Sequence, residues 1–380
     1  MKKYYLLTTG PTPVPPEVAS QSALPVLHHR THEFGVVFDR VLDGLKYVFQ
    51  TKNDIFILTS SGTGAMEAAV CNLLSPGDKA ITVEGGKFGE RWSELCKAYG
   101  LKAQVIKVEW GKAVQASQIE KILANDKDIK AVFVTLCETS TGVDTDIKAI
   151  GEVVKKTNAV LVVDAISGLG VTDLQTDHWS VDVVVVGSQK GLMLPPGLAF
   201  ISVSKKALGL IEKSTSPKYY FDLKMAKKAA EKTDTPFTPA IGIIIALNES
   251  LKLIKEEGLE KLFAHFAKLA KGTRAAAKAL GLKLFADEAC LSNAVTGIKV
   301  PDGLNGEKLV KTMRDTYGVT IAGGQGEELK GKIIRIAHMG CVDEDDIVTG
   351  ISCLEKVLKE MGYTFQLGSG VAAAQKIFNA

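Results

Sequence analysis

Two aliphatic runs in this chain each stop on a residue that can do chemistry. Leu161-Val162-Val163-Asp164 ends on a carboxylate, and Val183-Val184-Val185-Val186-Gly187-Ser188-Gln189-Lys190 ends on an amine. Short, all-apolar, β-branched runs read as parallel strands covered on both faces. Their last residues therefore sit at the carboxyl rim of a sheet, where open α/β folds bind ligands. An amine there can form a Schiff base with an aldehyde, and a carboxylate can keep a pyridine nitrogen protonated. Together they suit pyridoxal phosphate. Taken alone, the same pair could equally be a turn-capping aspartate and a solvated loop lysine.

Other rim positions supply what a flat, phosphorylated aldehyde would need. Ser60-Ser61-Gly62-Thr63-Gly64-Ala65 follows a strand and opens a helix, so free amides and a helix dipole face an anion. Thr63 can add a hydroxyl, and Gly64 permits close approach. Phe88, just past the next strand, could stack on a heteroaromatic ring or simply pack in the core. Glu138-Thr139-Ser140-Thr141-Gly142 places hydroxyls on the rim after another strand; they could bind a ring oxygen or cap the next helix. Convergence is the argument, since four successive rim loops each offer a fitting group.

The elements that must position these groups alternate. Strands are predicted at 55–59, 79–83, 104–108, 131–135, 161–164, 183–187 and 198–203, with helices at 65–74, 88–99, 116–123 and 146–156 between them. Such alternation specifies a mostly parallel sheet between helices. After Thr238-Pro239 the pattern changes to two long helices, 241–257 and 259–280, and then shorter strands at 294–300 and 332–337 with helices at 307–317 and 344–361. We read an N-terminal arm at 1–15, a large domain at 16–255 and a smaller α+β domain at 256–380.

Composition narrows the function classes. The 380 residues are 46% hydrophobic and 23% charged with a formal net charge of +3, which points to neither nucleic acid nor membrane as partner. No run approaches the ~20 apolar residues that span a bilayer, and the start is too short in apolar residues for a signal peptide. Six cysteines without a CxxC read as small buried hydrophobes. The expected location is cytoplasmic.

The wording of Ser61-Gly62-Thr63-Gly64, Glu138-Thr139-Ser140-Thr141-Gly142, Val163-Asp164, Gly187-Ser188-Gln189-Lys190 and Arg335-Ile336-Ala337-His338-Met339-Gly340 resembles the class V aminotransferases. Within them it is most similar to the alanine/serine–glyoxylate (serine–pyruvate) group, including a branch that carries soluble-hydrogenase-subunit names. The resemblance implies the fold-type-I architecture of pyridoxal-phosphate transferases: a mostly parallel seven-stranded sheet between helices, a smaller α+β C-terminal domain, and a homodimer with shared active sites. It makes Lys190 the Schiff-base lysine and proton shuttle, Asp164 the pyridinium partner, Phe88 the stacking residue and Thr139 the ring-oxygen contact. Thr63, Gly64, Ala65 and Gln189 would hold the phosphate, joined by Thr238 of the partner subunit. Arg335, with Gly10 nearby, would hold the substrate carboxylate. Two positions depart from the pattern: Ala65 stands where relatives often have histidine, and Thr235 where some have tyrosine.

The implied activity moves an amino group from alanine or serine to glyoxylate or pyruvate. Aspartate is a weaker expectation as donor, because no second arginine is obviously placed for a side-chain carboxylate. A pyridoxal lyase or decarboxylase, or a non-catalytic scaffold, is the alternative. A cysteine-desulfurase reading would need a mobile thiol ahead of Arg335, and 300–334 contains no cysteine; Cys341 follows it. His28 and His32 share an i,i+4 spacing, with His29 between them, that could bind a metal on a helix face. Without an HExxH context an interface or entrance role is preferred, and no metal is expected. His338 reads as packed structure.

Overall fold

A computed structural model describes residues 3–380. Strand β1 (Tyr5–Leu6) and helices α1 (Pro16–Gln21) and α2 (His32–Phe49) precede the alternating region. That region runs β2 (Asp54–Ser60), α3 (Gly62–Leu73), β3 (Lys79–Glu84), α4 (Lys87–Ala98), β4 (Lys102–Lys107), α5 (Ala116–Asn125) and β5 (Ile129–Thr135). A small hairpin, β6 (Cys137–Glu138) and β7 (Val143–Asp144), comes next, and then α6 (Ile147–Val154), β8 (Val160–Asp164), β9 (Val183–Gly187) and β10 (Gly197–Val203). Helices α7 (Lys205–Ile211), α8 (Leu223–Ala230), α9 (Ile241–Glu257) and α10 (Leu259–Ala279) follow. The remainder is β11 (Val295–Lys299), α11 (Gly306–Tyr317), β12 (Val319–Thr320), β13 (Ala322–Gly323), α12 (Gly326–Leu329), β14 (Ile333–Ala337), α13 (Glu344–Glu360) and α14 (Ser369–Phe378).

Seven strands form one sheet in the order β2-β10-β9-β8-β5-β3-β4. All neighbours are parallel except β10, which runs antiparallel to both β2 and β9. The exception has a simple cause: no crossover helix lies between β9 and β10, so the chain can only turn back. The period of two in β8 and β9 sends alternate side chains to opposite faces. Leu161, Val163, Val184 and Val186 join one core with α2 and α9, whereas Val160, Val162, Val183 and Val185 join another with α3 and α8. Both strands are wholly buried, so the charges at their carboxyl rim stand on a rigid base.

Helix α2 fills a stretch where the sequence reading placed no element. Its signal was present: Phe34, Phe38, Val41, Leu45 and Val48 make one buried stripe, and Thr31 caps the first turn by accepting the Phe34 N–H.

A third core belongs to β11, β14, α10, α11, α13 and α14, around the antiparallel sheet β11-β14-β13. The N-terminal segment contributes to it. Strand β1 pairs in parallel with β12, Leu7 is buried in this core, and the Ala337 N–H donates to the Leu7 carbonyl at 2.9 Å. Among the described residues, no helix is long and apolar enough to cross a membrane.

Candidate active site

Asp164 ends β8 and Lys190 follows its neighbour β9, where Val163 pairs with Val184 and Asp164 with Val185, close enough for each charge to act on the other. Both residues are buried, at 3% and 8% exposure. The Lys190 ammonium donates to the Thr9 carbonyl, and the Thr12 hydroxyl donates to the Lys190 carbonyl at 3.0 Å. The arm therefore wraps the lysine. Gly10 has φ +117°, and a side-chain carbon there would fall 2.5 Å from the Lys190 Nζ, so only glycine suits the position.

Burial pulls the Lys190 ammonium down to about 8, against the opposing pull of Cys137 and Asp164. Burial likewise pushes Asp164 up to about 7, partly offset by the Ile166 N–H it accepts at 2.8 Å. The negative charge of Glu138 adds to the rise, and Arg91 and Lys190 oppose it. A carboxylate this dry with one N–H donor calls for a cation beside it.

No side chain caps the turn into α3, where the Gly64 N–H donates to the Ser61 carbonyl at 2.9 Å. Ser61 is the N-cap, and Thr63 is exposed at the first turn. Gln189 lies next to this turn: a carbon added to Gly187 would be 2.8 Å from Gln189 Oε1 and 3.4 Å from the Gly62 nitrogen. Gly64 is crowded by Ser60 and Phe221, so a methyl there would collide. The Ala65 methyl is wholly buried in the core, which leaves that residue only its main chain to offer.

Phe88 is the second residue of α4, half-buried, with the Arg91 guanidinium carbon 5.0 Å from its ring centroid. Thr139 is 1% exposed and its carbonyl accepts from Arg335 Nη1 at 2.6 Å. Arg335, on β14, also donates through Nε and Nη2 to the Gly323 carbonyl at 2.9 and 2.7 Å, and through Nη1 to Gln325 Oε1 at 3.4 Å. Burial lowers its guanidinium to about 10, a charge held in place by dipoles and offset by Glu138. Such a desolvated, planar fork suits a carboxylate.

Lys190, Asp164, Gly10, Thr139 and Arg335 are thus brought into one buried neighbourhood. Thr238 is exposed on a proline-flanked segment, two residues before Ala240, whose N–H donates to Thr59 Oγ1 at 3.0 Å. The histidine reading needs correcting. Helix α2 starts at His32, so His28 and His29 precede it and cannot share a helix face with it. Among the described residues no group of three His, Cys, Asp or Glu comes together to hold a metal. His338 is buried, with Nδ1 3.1 Å from the Asn293 carbonyl, and burial pushes it down to about 3. Cys341 is exposed. Three residues near the site had been given no role: Glu138, Arg91 and Gln325. Arg91 follows Phe88 by one helical turn, and its charge acts on both Asp164 and Lys190.

Buried oxygens without partners at a site are groups that a ligand can satisfy. Among the described residues Thr135 Oγ1, Thr139 Oγ1 and Gln189 Oε1 are such atoms, as are Asp144 Oδ1 and Ser202 Oγ outside the residues named above, and Thr135 pairs in register with Asp164. Pyridoxal phosphate would bring a pyridinium for Asp164, a ring oxygen for Thr139 and an anion for the α3 amides. The residues present fit it.

Comparison with known proteins agrees. Residues 4–333 match the class-V aminotransferase family. The chain is 44% identical to the soluble hydrogenase small subunit of a Synechococcus strain, covering 99% of each. It is 39% identical to the L-aspartate–glyoxylate aminotransferase of Paracoccus denitrificans (97% of this chain, 94% of the relative). It is 38% identical to the serine–glyoxylate aminotransferase of Hyphomicrobium methylovorum (99% and 94%). The solved ureidoglycine–glyoxylate aminotransferase of Bacillus subtilis superposes with a TM-score of 0.96 at 28% identity, covering 100% of this chain and 99% of that one. Buried amine, nearby carboxylate, uncapped helix start and matching family lead to one conclusion: the chain belongs to the class V aminotransferases, of fold type I, and its cofactor is pyridoxal 5′-phosphate.

Proposed function

We propose that this enzyme transfers the amino group of a small α-amino acid, alanine or serine, to glyoxylate or pyruvate in a ping-pong cycle. The carrying observation is the buried Lys190 amine, lowered to about 8, set against the Asp164 carboxylate. Glyoxylate is in the names of the three aminotransferases compared above, which supports it as acceptor.

The cofactor, when bound, supplies an electron sink for the pair released when a substrate Cα–H bond breaks. Lys190 would hold the cofactor aldehyde, then, once freed by the incoming amino group, take the Cα proton on Nζ and return it. An amine near 8 is partly neutral at working pH and can act in both directions. Asp164 would stay ionised opposite the ring nitrogen and keep it cationic. Phe88 would stack on the ring, and Thr139 would donate to its oxygen. The α3 amides with Thr63, Gly64, Ala65 and Gln189, and Thr238 of the partner subunit, would hold the phosphate. Arg335 would bind the α-carboxylate and so fix which Cα bond faces the ring, with Gly10 leaving room beside the lysine.

We infer further a homodimer, a cytoplasmic location, and a division near residue 256 between a large domain and a small one, after an arm at 1–15. Light scattering tests the dimer.

Aspartate is the second reading. It is favoured by the Paracoccus relative and by Arg91, a guanidinium whose charge acts on both Lys190 and Asp164. The test supplies the loaded enzyme with glyoxylate and each of alanine, serine and aspartate, and quantifies glycine and keto acid. One glycine per keto acid, fastest with alanine or serine, is expected. Faster turnover of aspartate selects the second reading. Donor consumed without matching glycine would mean elimination or decarboxylation and would overturn both.

A further inference from the structure

Several helices here are capped by the side chain just before them: Thr31 for α2, Asp146 for α6, Ser204 for α7, Asp222 for α8, Asn305 for α11 and Asp343 for α13. Helix α4, like α14, starts instead at a glycine and is closed by a glutamate distant in sequence. Its N-cap is Gly86, which has no side chain, and the missing acceptor comes from a different rim loop. Glu138, 4% exposed, accepts the Phe88 N–H at 3.1 Å and the Gly89 N–H at 2.9 Å. It also accepts the Ser140 N–H at 3.2 Å and the Ser140 hydroxyl. Ser140 Oγ in turn accepts the Lys87 N–H at 3.1 Å.

All of these donors are neutral, so the amides and dipole of α4 hold the carboxylate, while its charge also acts on the Arg335 guanidinium. The fit is tight, since a carbon added to Gly86 would lie 2.5 Å from the Glu138 carboxyl carbon. A buried carboxylate is a costly cap, and a serine would satisfy one amide more cheaply. What the carboxylate adds is reach. It fixes the first turn of α4, which carries Phe88, to the loop whose next residue, Thr139, gives its carbonyl to Arg335.

We propose that Glu138 is a positioning residue that joins the Phe88 ring, the Thr139 hydroxyl and the Arg335 guanidinium into one unit, coupling cofactor stacking to substrate-carboxylate binding. This rests on the reading that Phe88 and Thr139 face the cofactor. Glu138→Gln keeps the shape but turns an amide N–H₂ toward donors, so at least one loses its acceptor.

The test titrates the cofactor-free full-length protein with pyridoxal 5′-phosphate by quenching of intrinsic fluorescence, then measures KM and kcat for the preferred donor. For E138Q the cofactor dissociation constant should rise roughly tenfold, the size expected for one charge-assisted hydrogen bond. The donor KM should rise with it, and by more than kcat falls. S140A, which removes one hydroxyl bond, should move both constants the same way by less. An E138Q protein that melts earlier yet keeps the parental dissociation constant and donor KM would make Glu138 a fold residue only. If E138Q does not fold, unchanged constants in S140A overturn the proposal. A parental chain that takes up no pyridoxal phosphate would sink the functional reading and this one with it.

Discussion

Two carboxylates on different elements are almost equally buried and quite differently used. Glu355, on α13 at 2% exposure, accepts N–H groups of Gly368, Gly370 and Val371 at 2.6–3.1 Å, closing the N-terminus of α14. Asp164, at 3% exposure, accepts the Ile166 N–H, and Thr135 and Thr139 nearby have unpaired hydroxyl oxygens. A saturated buried carboxylate ties elements together; an undersatisfied one marks a place for a partner. The distinction is readable because dry polar groups are costly to leave alone.

The strongest attempt to break this contrast replaces the amine beside Asp164. Lys190→Ala should reduce transamination by about 10⁴-fold, since the proton shuttle is gone, as measured under single turnover. Near-parental rates would end the assignment. Asp164→Asn keeps the shape and removes the charge; kcat should fall by about 10²–10³-fold, while the cofactor-free protein melts no earlier than the parent. Glu355→Gln should do the reverse, costing about 1–3 kcal/mol of stability and leaving activity per folded molecule unchanged. If both variants shift the same property, the contrast is lost. Arg335→Lys gives up a planar fork for a point charge, so kcat/KM should drop about tenfold, mostly through KM.

The smallest effect is a pH dependence in the cofactor-free protein. Asp164 is raised from 3.8 to about 7, so the native state holds its proton more tightly, and the resulting stability is complete below 3.8 and lost as pH climbs through 7. Lys190 is lowered from 10.5 to about 8, so the unfolded chain binds more protons between those values and stability rises from 8 towards 10.5. These two groups together leave a trough at about pH 7–8. Cofactor binding places a cation opposite Asp164, so the gain in melting temperature should peak there. Gains that stay level from about pH 5 to 9 would remove the basis for pairing the two groups.

The rim was legible because its chemistry sits at the ends of aliphatic runs that leave few structural options. Lys190, Asp164, Thr139 and Arg335 could be named from local wording, and the all-buried β8 and β9 followed from their composition. Glu138 could not be assigned a role, because its amide partners on α4 lie 49 and 50 residues away and only the fold brings them close. Helix α2 was missed despite a regular stripe, since the proline-rich start drew the reading towards an arm. His28 and His32 misled for the opposite reason: spacing implies a shared face only where a helix exists, and here it begins at His32.

The strap formed by residues 5–12 has a consequence for biosynthesis. It lies across Lys190 and is anchored to β12 and Ala337, which are made long after it. At about 5–20 residues per second, a ribosome delivers that anchor tens of seconds after the strap itself emerges. The large sheet can form during that interval, but its lysine stays uncovered, so a nascent chain is expected to gain its closed cofactor pocket only once β12 and β14 have emerged.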